Sequence, residues 1–223
     1  MELDWSWRFA WEILPDLLAG ALKTLAAVGI GYSMAIVGGL ILALLQRTRS
    51  RLLSAAVREF VEFIRSTPLL LQIYFVFFVG PQFGVQLSPW ASGLIAIGLY
   101  RSAYLSEIYR GGLEAVPAGQ WEACTALNLS GRDAYFRIII PQALPPATAG
   151  MGNALIAIFK DTPMLSAIGV AELMHAATVV GANSYRYLEP YTLVGLIFLL
   201  LSLPAAWVIR IFERWLRSKL GMV

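Results

Sequence analysis

Apolar positions in this chain fall in long unbroken runs. Residues 24–46, 138–159 and 192–209 contain no charged side chain, and each approaches or exceeds the roughly 18 to 20 residues that a helix needs to cross a bilayer. A fourth uncharged stretch, 66–100, is too long for one crossing and contains GPQFGVQLSPW, whose prolines, glycines and polar residues interrupt helix. It divides into two spans. The pattern predicts five spanning helices, over about 18–46, 54–80, 88–110, 137–160 and 189–213. Between 166 and 187 apolar residues recur near helical spacing while Glu172, His175 and Asn183 interrupt them, which predicts a helix at or partly in the outer face.

Composition agrees with lipid burial. Of 223 residues, 58% are hydrophobic and 14% charged, against about a quarter charged in a soluble domain. The fold class is therefore all-α integral membrane protein, with a single domain over 1–223. The N-terminal MELDWSWRFAWEILPD has no basic region before its apolar residues, so it does not read as a cleaved signal. Trp5, Trp7, Phe9 and Trp11 either settle at the headgroup level or pack on the protein. The single cysteine, Cys124, excludes an internal disulfide and a thiolate metal cluster, and the single histidine, His175, lacks companions for a metal site.

Basic residues orient the helices. Arg47, Arg49, Arg51 and Arg58 follow the first span, Arg110, Arg132 and Arg137 the third, and Arg210, Arg214, Arg217 and Lys219 the fifth. These eleven of the 17 basic residues fall on one side of a five-span path, which the positive-inside rule makes cytoplasmic. The N-terminus is then outside and the C-terminus cytoplasmic. The net charge of +3 follows from these flanks and is no sign of nucleic-acid binding.

One polar segment stands out, GQWEACTALNLSGRDAYFRIIIPQ, in the cytoplasmic connection between spans three and four. Pro117 suits the first turn of a short helix, and Glu122 is placed to meet its dipole. Asn128 tolerates the left-handed conformation that ends helices. Ser130 to Asp133 reads S-x-x-D, a capping box that opens a second helix. The segment is thus a helix-turn-helix elbow, with Trp121, Ala123 and Leu127 expected on an outward apolar face.

These residues carry a resemblance. Glu122-Ala123-Cys124, then Asn128, then Ile138 and Ile140-Pro141 resembles the EAA motif of ATP-binding-cassette (ABC) importer permeases, E-A-A, three residues, G, nine residues, I-x-L-P. Cys124, Asn128 and Ile140 depart from its alanine, glycine and leucine. The resemblance implies a type I importer permease architecture in the bacterial inner membrane. It makes about 114–141 a coupling segment, with Gly119, Glu122, Ala123, Asn128 and Pro141 engaging a cytoplasmic ATPase dimer. Further stretches, EFIRSTPLLLQ, AYLSEIYRGGLEAVPAGQ and LIAIFKDTPMLSAIGV, are similar to polar amino acid uptake permeases. KDTPMLSA, ALNLS and SYRYLEPYTLVG are most similar to permeases for ectoine and hydroxyectoine. Implied partners are the ATPase, which holds ATP and Mg, an extracytoplasmic solute-binding protein, and a second permease subunit, homologous or identical. No cofactor is expected in this chain.

Ionisable residues within spans are costly and are candidate sites. Glu62 and Arg65 are three apart on one face; Arg101, beside Ser102, falls near the bilayer middle; Lys160-Asp161-Thr162 precedes Pro163, where regular helix should end. A zwitterion needs an acceptor and a donor, which Asp161 with Arg101 or Arg65 supplies. The substrate pathway is therefore assigned to Arg65, Arg101, Ser102, Lys160, Asp161 and Thr162. A purely internal pair, of Asp161 with Lys160 or with another helix's arginine, is the alternative. Asn153 and Gln72 offer amide contacts or interhelical glue. The chain lacks G-x-x-x-x-G-K-[ST], H-E-x-x-H and G-x-S-x-G, so neither ATPase nor hydrolase chemistry is expected of it. An ion- or proton-coupled transporter or channel remains the competing class, although it has no use for the elbow.

Overall fold

The computed structural model describes residues 5–219, the side chain of Arg217 excepted; Met1 to Asp4 of the N-terminal segment lie outside it. Its elements are α1 (Trp7–Gln46), α2 (Arg51–Ser66), α3 (Leu69–Tyr74), α4 (Pro89–Glu114), α5 (Ala118–Ala126), α6 (Gly131–Asp133), α7 (Ile140–Asp161), α8 (Leu173–Ser184) and α9 (Leu188–Lys219). Among the described residues there is no strand. The all-helical class expected from the apolar runs is what forms.

Helix α1 begins at Trp7, well before the expected residue 18, and its 40 residues reach about 60 Å. Ser6 caps it, its hydroxyl accepting from the Phe9 N–H at 3.3 Å. The backbone N–H of Ser6 also donates to Glu189 at 2.9 Å, tying the chain start to α9. The aromatic start divides between its two expected places. Phe9 packs inward with Ile13, Leu17 and Leu173, whereas Trp7 and Trp11 are each 69% exposed.

The second span is not one helix over 54–80. It bends by 104° between Arg51–Ser66 and Leu69–Phe83. Pro68 has no N–H and disfavours helix at Thr67, which is extended at φ −103° and ψ 141°. Gln72 closes the gap. Its amide nitrogen donates to the carbonyl of Ile64 at 2.8 Å and to the Thr67 hydroxyl at 2.6 Å, so it holds a hinge.

Two π-helical turns, Phe75–Val79 and Ala134–Ile139, each end two residues before a proline, Pro81 and Pro141. A proline cannot donate to the carbonyl four residues back, and a widened turn accommodates the missing bond. The fourth span consequently runs from Gly131 through Ile168, α-helical over α6, widened through the π turn, α-helical again from Ile140 to Asp161 and then a tighter 3-10 turn over Thr162–Ile168. Regular helix stops before Pro163, as expected. The helix expected over 166–187 is the shorter α8.

Among the described residues, only α1 and α9 are single helices both long and apolar enough to cross a membrane; the two bent pairs, Arg51–Ser66 with Leu69–Phe83 and Gly131–Ile168 with Leu173–Ser184, bring the number to as many as four. Helix α4, at 26 residues, is about 39 Å long, enough to cross, but it carries Arg101, Glu107 and Arg110 and is less apolar. It lies at the centre, packed along α1 and α7. Close approach needs small residues. A Cβ at Gly39 of α1 would stand 2.7 Å from the Cβ of Leu105 and 3.1 Å from the carbonyl of Ser102, whereas one at Gly29 would meet nothing within 4 Å.

Gly39→Ala should therefore lower thermal stability of the purified protein, by about 1–3 kcal/mol as overpacking does, while Gly29→Ala should be neutral or slightly stabilising. Equal melting of the two variants would contradict the α1–α4 contact.

Candidate functional site

Arg101 of α4 meets Asp161 at the end of α7. Its Nε donates to Oδ2 at 2.6 Å and its Nη2 lies 2.5 Å from the same oxygen, with the two side chains 13% and 10% exposed. Aromatic rings frame the cation. The guanidinium carbon is 5.2 Å from the centre of the Tyr100 ring and 5.6 Å from that of Tyr104, within reach of their negative faces. The two tyrosine hydroxyls are 3.2 Å apart.

Arg65 joins from α2. It lies 5.3 Å from the Tyr104 ring, so one ring serves both arginines, and the Tyr104 hydroxyl donates to the Arg65 carbonyl at 3.3 Å. Arg65 Nη1 is 3.3 Å from Glu62 and 3.9 Å from Glu107, while Arg110 Nη2 is 2.6 Å from Glu107. The expected Glu62–Arg65 pair thus exists, with Glu107 as a second acid.

The remaining pathway residues separate from this set. Ser102 is buried against α1, donating to the carbonyl of Gly98 at 2.7 Å and approaching that of Met34 at 3.4 Å. It faces α1 and not Asp161, because adjacent helical residues point about 100° apart. Thr162 is fully buried and donates to the Phe159 carbonyl at 2.9 Å, where it shapes the helix end. Lys160 is exposed, as is Asn153 seven residues before it; the partner of Asp161 is Arg101, not Lys160. Tyr100 and Tyr104 escaped the sequence reading, although two tyrosines four apart around an arginine place all three side chains on neighbouring faces. Glu172 escaped too. Fully buried, it caps α8 by accepting from the backbone of Met174 and His175 at 2.9 and 2.7 Å, and Thr24 of α1 contacts both it and the Leu173 N–H.

The elbow folds as a helix and turn. Pro117 is the residue before α5, one position earlier than expected, and Glu122, exposed and fifth in the helix, lies beyond the first turn where the dipole acts most strongly. Asn128 has φ 50°. Its N–H donates to the Thr125 carbonyl and that of Leu129 to Cys124, each at 3.0 Å, the paired bonds of a Schellman ending. Ser130 accepts from the Asp133 N–H at 3.1 Å and donates to the Asp133 carboxylate at 2.7 Å. Gln142 bridges to Gln120 at 3.2 Å, fastening the start of α7 to α5; Pro141 opens α7 half-buried.

Trp121 corrects the outward face. It packs against Val116, Cys124, Ala134 and Ile139 inside the elbow. Cys124, where the motif has alanine, is 5% exposed, a position for a small apolar side chain. The surface left outward is Glu122, Ala123 and Leu127, the last 70% exposed, with Gly119 open beside it.

The family described as the inner membrane component of binding-protein-dependent transport systems matches residues 35–218. The chain belongs to that family. The permease is 39% identical to a probable amino-acid ABC transporter permease of Sinorhizobium fredii, over 92% of this chain and 89% of that one. It is 34% identical to the L-cystine transport system permease of Bacillus subtilis, over 90% and 88%. It is 31% identical to the glutamine transport system permease of Escherichia coli, over 96% and 98%. Among solved structures, an amino acid ABC transporter described with histidines matches at a TM-score of 0.90 and 29% identity, over 95% of this chain and 99% of that one. The inward-facing MetNI methionine ABC transporter matches at 0.79 and 18%, over 92% and 98%, a likeness of fold. The type I importer permease fold is thereby established, in a multi-pass membrane protein whose relatives are transport subunits and not enzymes.

Asp161→Leu strands the Arg101 guanidinium in a buried place, which should cost about 3–5 kcal/mol; adding Arg101→Met should return most of it. Thermal unfolding of the purified permease checks both. At the elbow, Asn128→Gly should be neutral or mildly stabilising, and Asn128→Val should cost about 1–2 kcal/mol because a β-branched residue resists positive φ. Proteolysis of the elbow, read against the parent, should rise only in the valine variant.

Proposed function

We propose that the permease carries a zwitterionic amino acid or an amino-acid-derived compatible solute across the bacterial inner membrane, driven by ATP hydrolysed on a separate ATPase dimer. The observation that carries this reading is the Arg101–Asp161 pair, two opposite full charges held side by side where α7 loses its regular helix. An α-carboxylate and a cationic nitrogen are the complementary charges. Both Arg101 contacts fall on one oxygen of Asp161, and Tyr100 and Tyr104 add hydroxyls beside the cation. A solute entering there exchanges one ion pair for two, so the pair opens without either charge being abandoned to lipid. Relatives named for cystine, glutamine, arginine and nopaline transport support a solute with both charges. Ectoine and hydroxyectoine, favoured by the wording of KDTPMLSA and SYRYLEPYTLVG, are the first of this class to test.

In this reading α5 docks on the ATPase through Glu122, Ala123 and Leu127, with Gly119 leaving room for close approach and Asn128 and Pro141 shaping the elbow around it. The elbow and the C-terminus are cytoplasmic and the N-terminus is outside, where an extracytoplasmic solute-binding protein delivers its cargo. A second permease subunit, identical or homologous, completes the pathway, and lipid surrounds the rest. An ion-coupled carrier or channel would not need an outward-facing, leucine-tipped elbow.

The test is charge exchange. Arg101→Asp combined with Asp161→Arg preserves a pair and should keep the fold, but reverses the order in which a zwitterion meets its partners. In the transporter reconstituted with its ATPase and solute-binding protein, zwitterions including ectoine and glutamine should raise ATP hydrolysis of the parent. The exchanged variant should lose at least about tenfold of that stimulation, the loss of a charged hydrogen bond in each half of the site. Unchanged stimulation at unchanged melting temperature would make the pair purely structural, and uptake without ATP would favour the ion-coupled class.

A further inference from the structure

Besides its contacts with α7, the elbow is reached by one cation from the end of α1. Arg47 caps the C-terminus of α1, its backbone N–H turned back to Leu44 and Leu45. Its side chain leaves the helix for the elbow, where Nη2 donates to the Tyr135 hydroxyl at 3.4 Å and the guanidinium carbon lies 5.8 Å from the centre of the Trp121 ring. Those two rings meet edge to face at 5.4 Å. Trp121 belongs to α5 and Tyr135 to the π turn before α7, so one guanidinium touches both limbs of the elbow.

The next residue back connects inward. Gln46 is 6% exposed, and its amide nitrogen is 3.5 Å from the Ser106 hydroxyl and 3.4 Å from Glu107 on α4. Glu107 is the acid that meets Arg65 and Arg110. In its N-terminal half α1 seats α8, with Thr24 against Glu172 and the Leu173 N–H. A helix packed along its length moves as a rod, and rigid elements of this kind transmit displacement between distant sites.

From these contacts we infer that Arg47 is a positioning residue, latching the elbow to α1 so that a displacement of α5 moves α1 and α4 together instead of being absorbed in the link to α2. The latch rests on the reading of α5 as the ATPase-docking helix. Its chemistry asks for arginine. A planar guanidinium donates to a hydroxyl and lies against an aromatic face at once, whereas an ammonium is a single point charge.

The experiment uses the complete transporter in lipid nanodiscs, with spin labels at Leu22→Cys and Thr125→Cys in a Cys124→Ala background. Both labelled positions are exposed, and Thr125 lies off the Glu122–Ala123–Leu127 face of α5. In the parent, trapping with Mg·ATP and vanadate should leave the label distance unchanged, because elbow and rod move as one. In Arg47→Ala the same trapping should shift or broaden it by about 2 Å or more, the scale of helix shifts, with basal ATP hydrolysis retained. Arg47→Lys should fall between, and Arg47→Ala combined with Trp121→Leu should shift no further than Arg47→Ala alone. Tyr135→Phe, which removes only a hydroxyl, should give a smaller shift and serves if Arg47→Ala does not assemble. A distance unaffected by trapping in both Arg47→Ala and Tyr135→Phe overturns the latch. Glu122→Lys is the separate control on docking: it should release the ATPase, and its retention would remove the docking reading while the latch measurement stands on its own.

Discussion

Everything in this fold follows from where α4 can be put. Its 26 residues include Arg101, Glu107 and Arg110, and a charge facing hydrocarbon costs several kcal/mol even after local adjustment. The helix has to be enclosed, and its neighbours are shaped to enclose it. Helix α1 brings glycine to the positions where Ser102 and Leu105 arrive, so the backbones approach closely and the small polar side chains are satisfied across the gap. Helix α7 brings Asp161 to Arg101, and α2 brings Arg65 to Glu107. Arg101 and Glu107 are thereby answered by other elements, while Arg110 pairs with Glu107 and Glu114 of its own helix; the two cross-element pairs are constraints on tertiary structure before they are anything else.

A constraint of that kind is also well suited to transport. Breaking a buried pair by removing one partner is expensive, but offering each partner a new counter-ion is not. A pair at the end of α7, where a 3-10 turn and Pro163 have already relaxed the helix, is accessible to exchange in a way that one at mid-helix would not be. The tyrosines around Arg101 lower the cost of the intermediate arrangement, since an aromatic face stabilises a cation in the absence of its carboxylate.

Much of this was legible in the sequence, and the reasons for the rest are specific. Runs without charge announced the membrane class, and spacing from Glu122 to Pro141 announced the elbow down to the left-handed Asn128, because a helix ending is a local event. The break in the second span was missed at Thr67-Pro68, where apolar character continued across a backbone that could not. Trp121 was expected outward because periodicity in a nine-residue helix says which residues share a face, not which face is covered. Ser102 was grouped with Arg101 by adjacency in sequence, and the fold turns it to α1 because consecutive helical residues look in different directions. The Arg101–Asp161 contact is long-range, and no local pattern encodes it; the sequence offered Arg101 and Arg65 equally as partners.

The elbow and the ion pairs are joined by geometry that neither motif contains. Cys124, Val116 and Ile139 give the elbow its own small core, so it is stiff enough to be pushed as a body. Stiffness alone does not say what it pushes. The proposed Arg47 latch supplies an answer, because Arg47 lies at the end of a helix that packs along α4 and also seats α8 in its N-terminal half. A force arriving at Trp121 therefore meets α1 end-on, and α1 is fixed to the central helix by Gln46 at one level and by the glycine-serine contact at another. Arg101 stands one residue before Ser102, so under the proposed latch a shift of the α1–α4 seam would also move the arginine relative to Asp161, and opening of the pair would be the mechanical consequence of displacing the elbow.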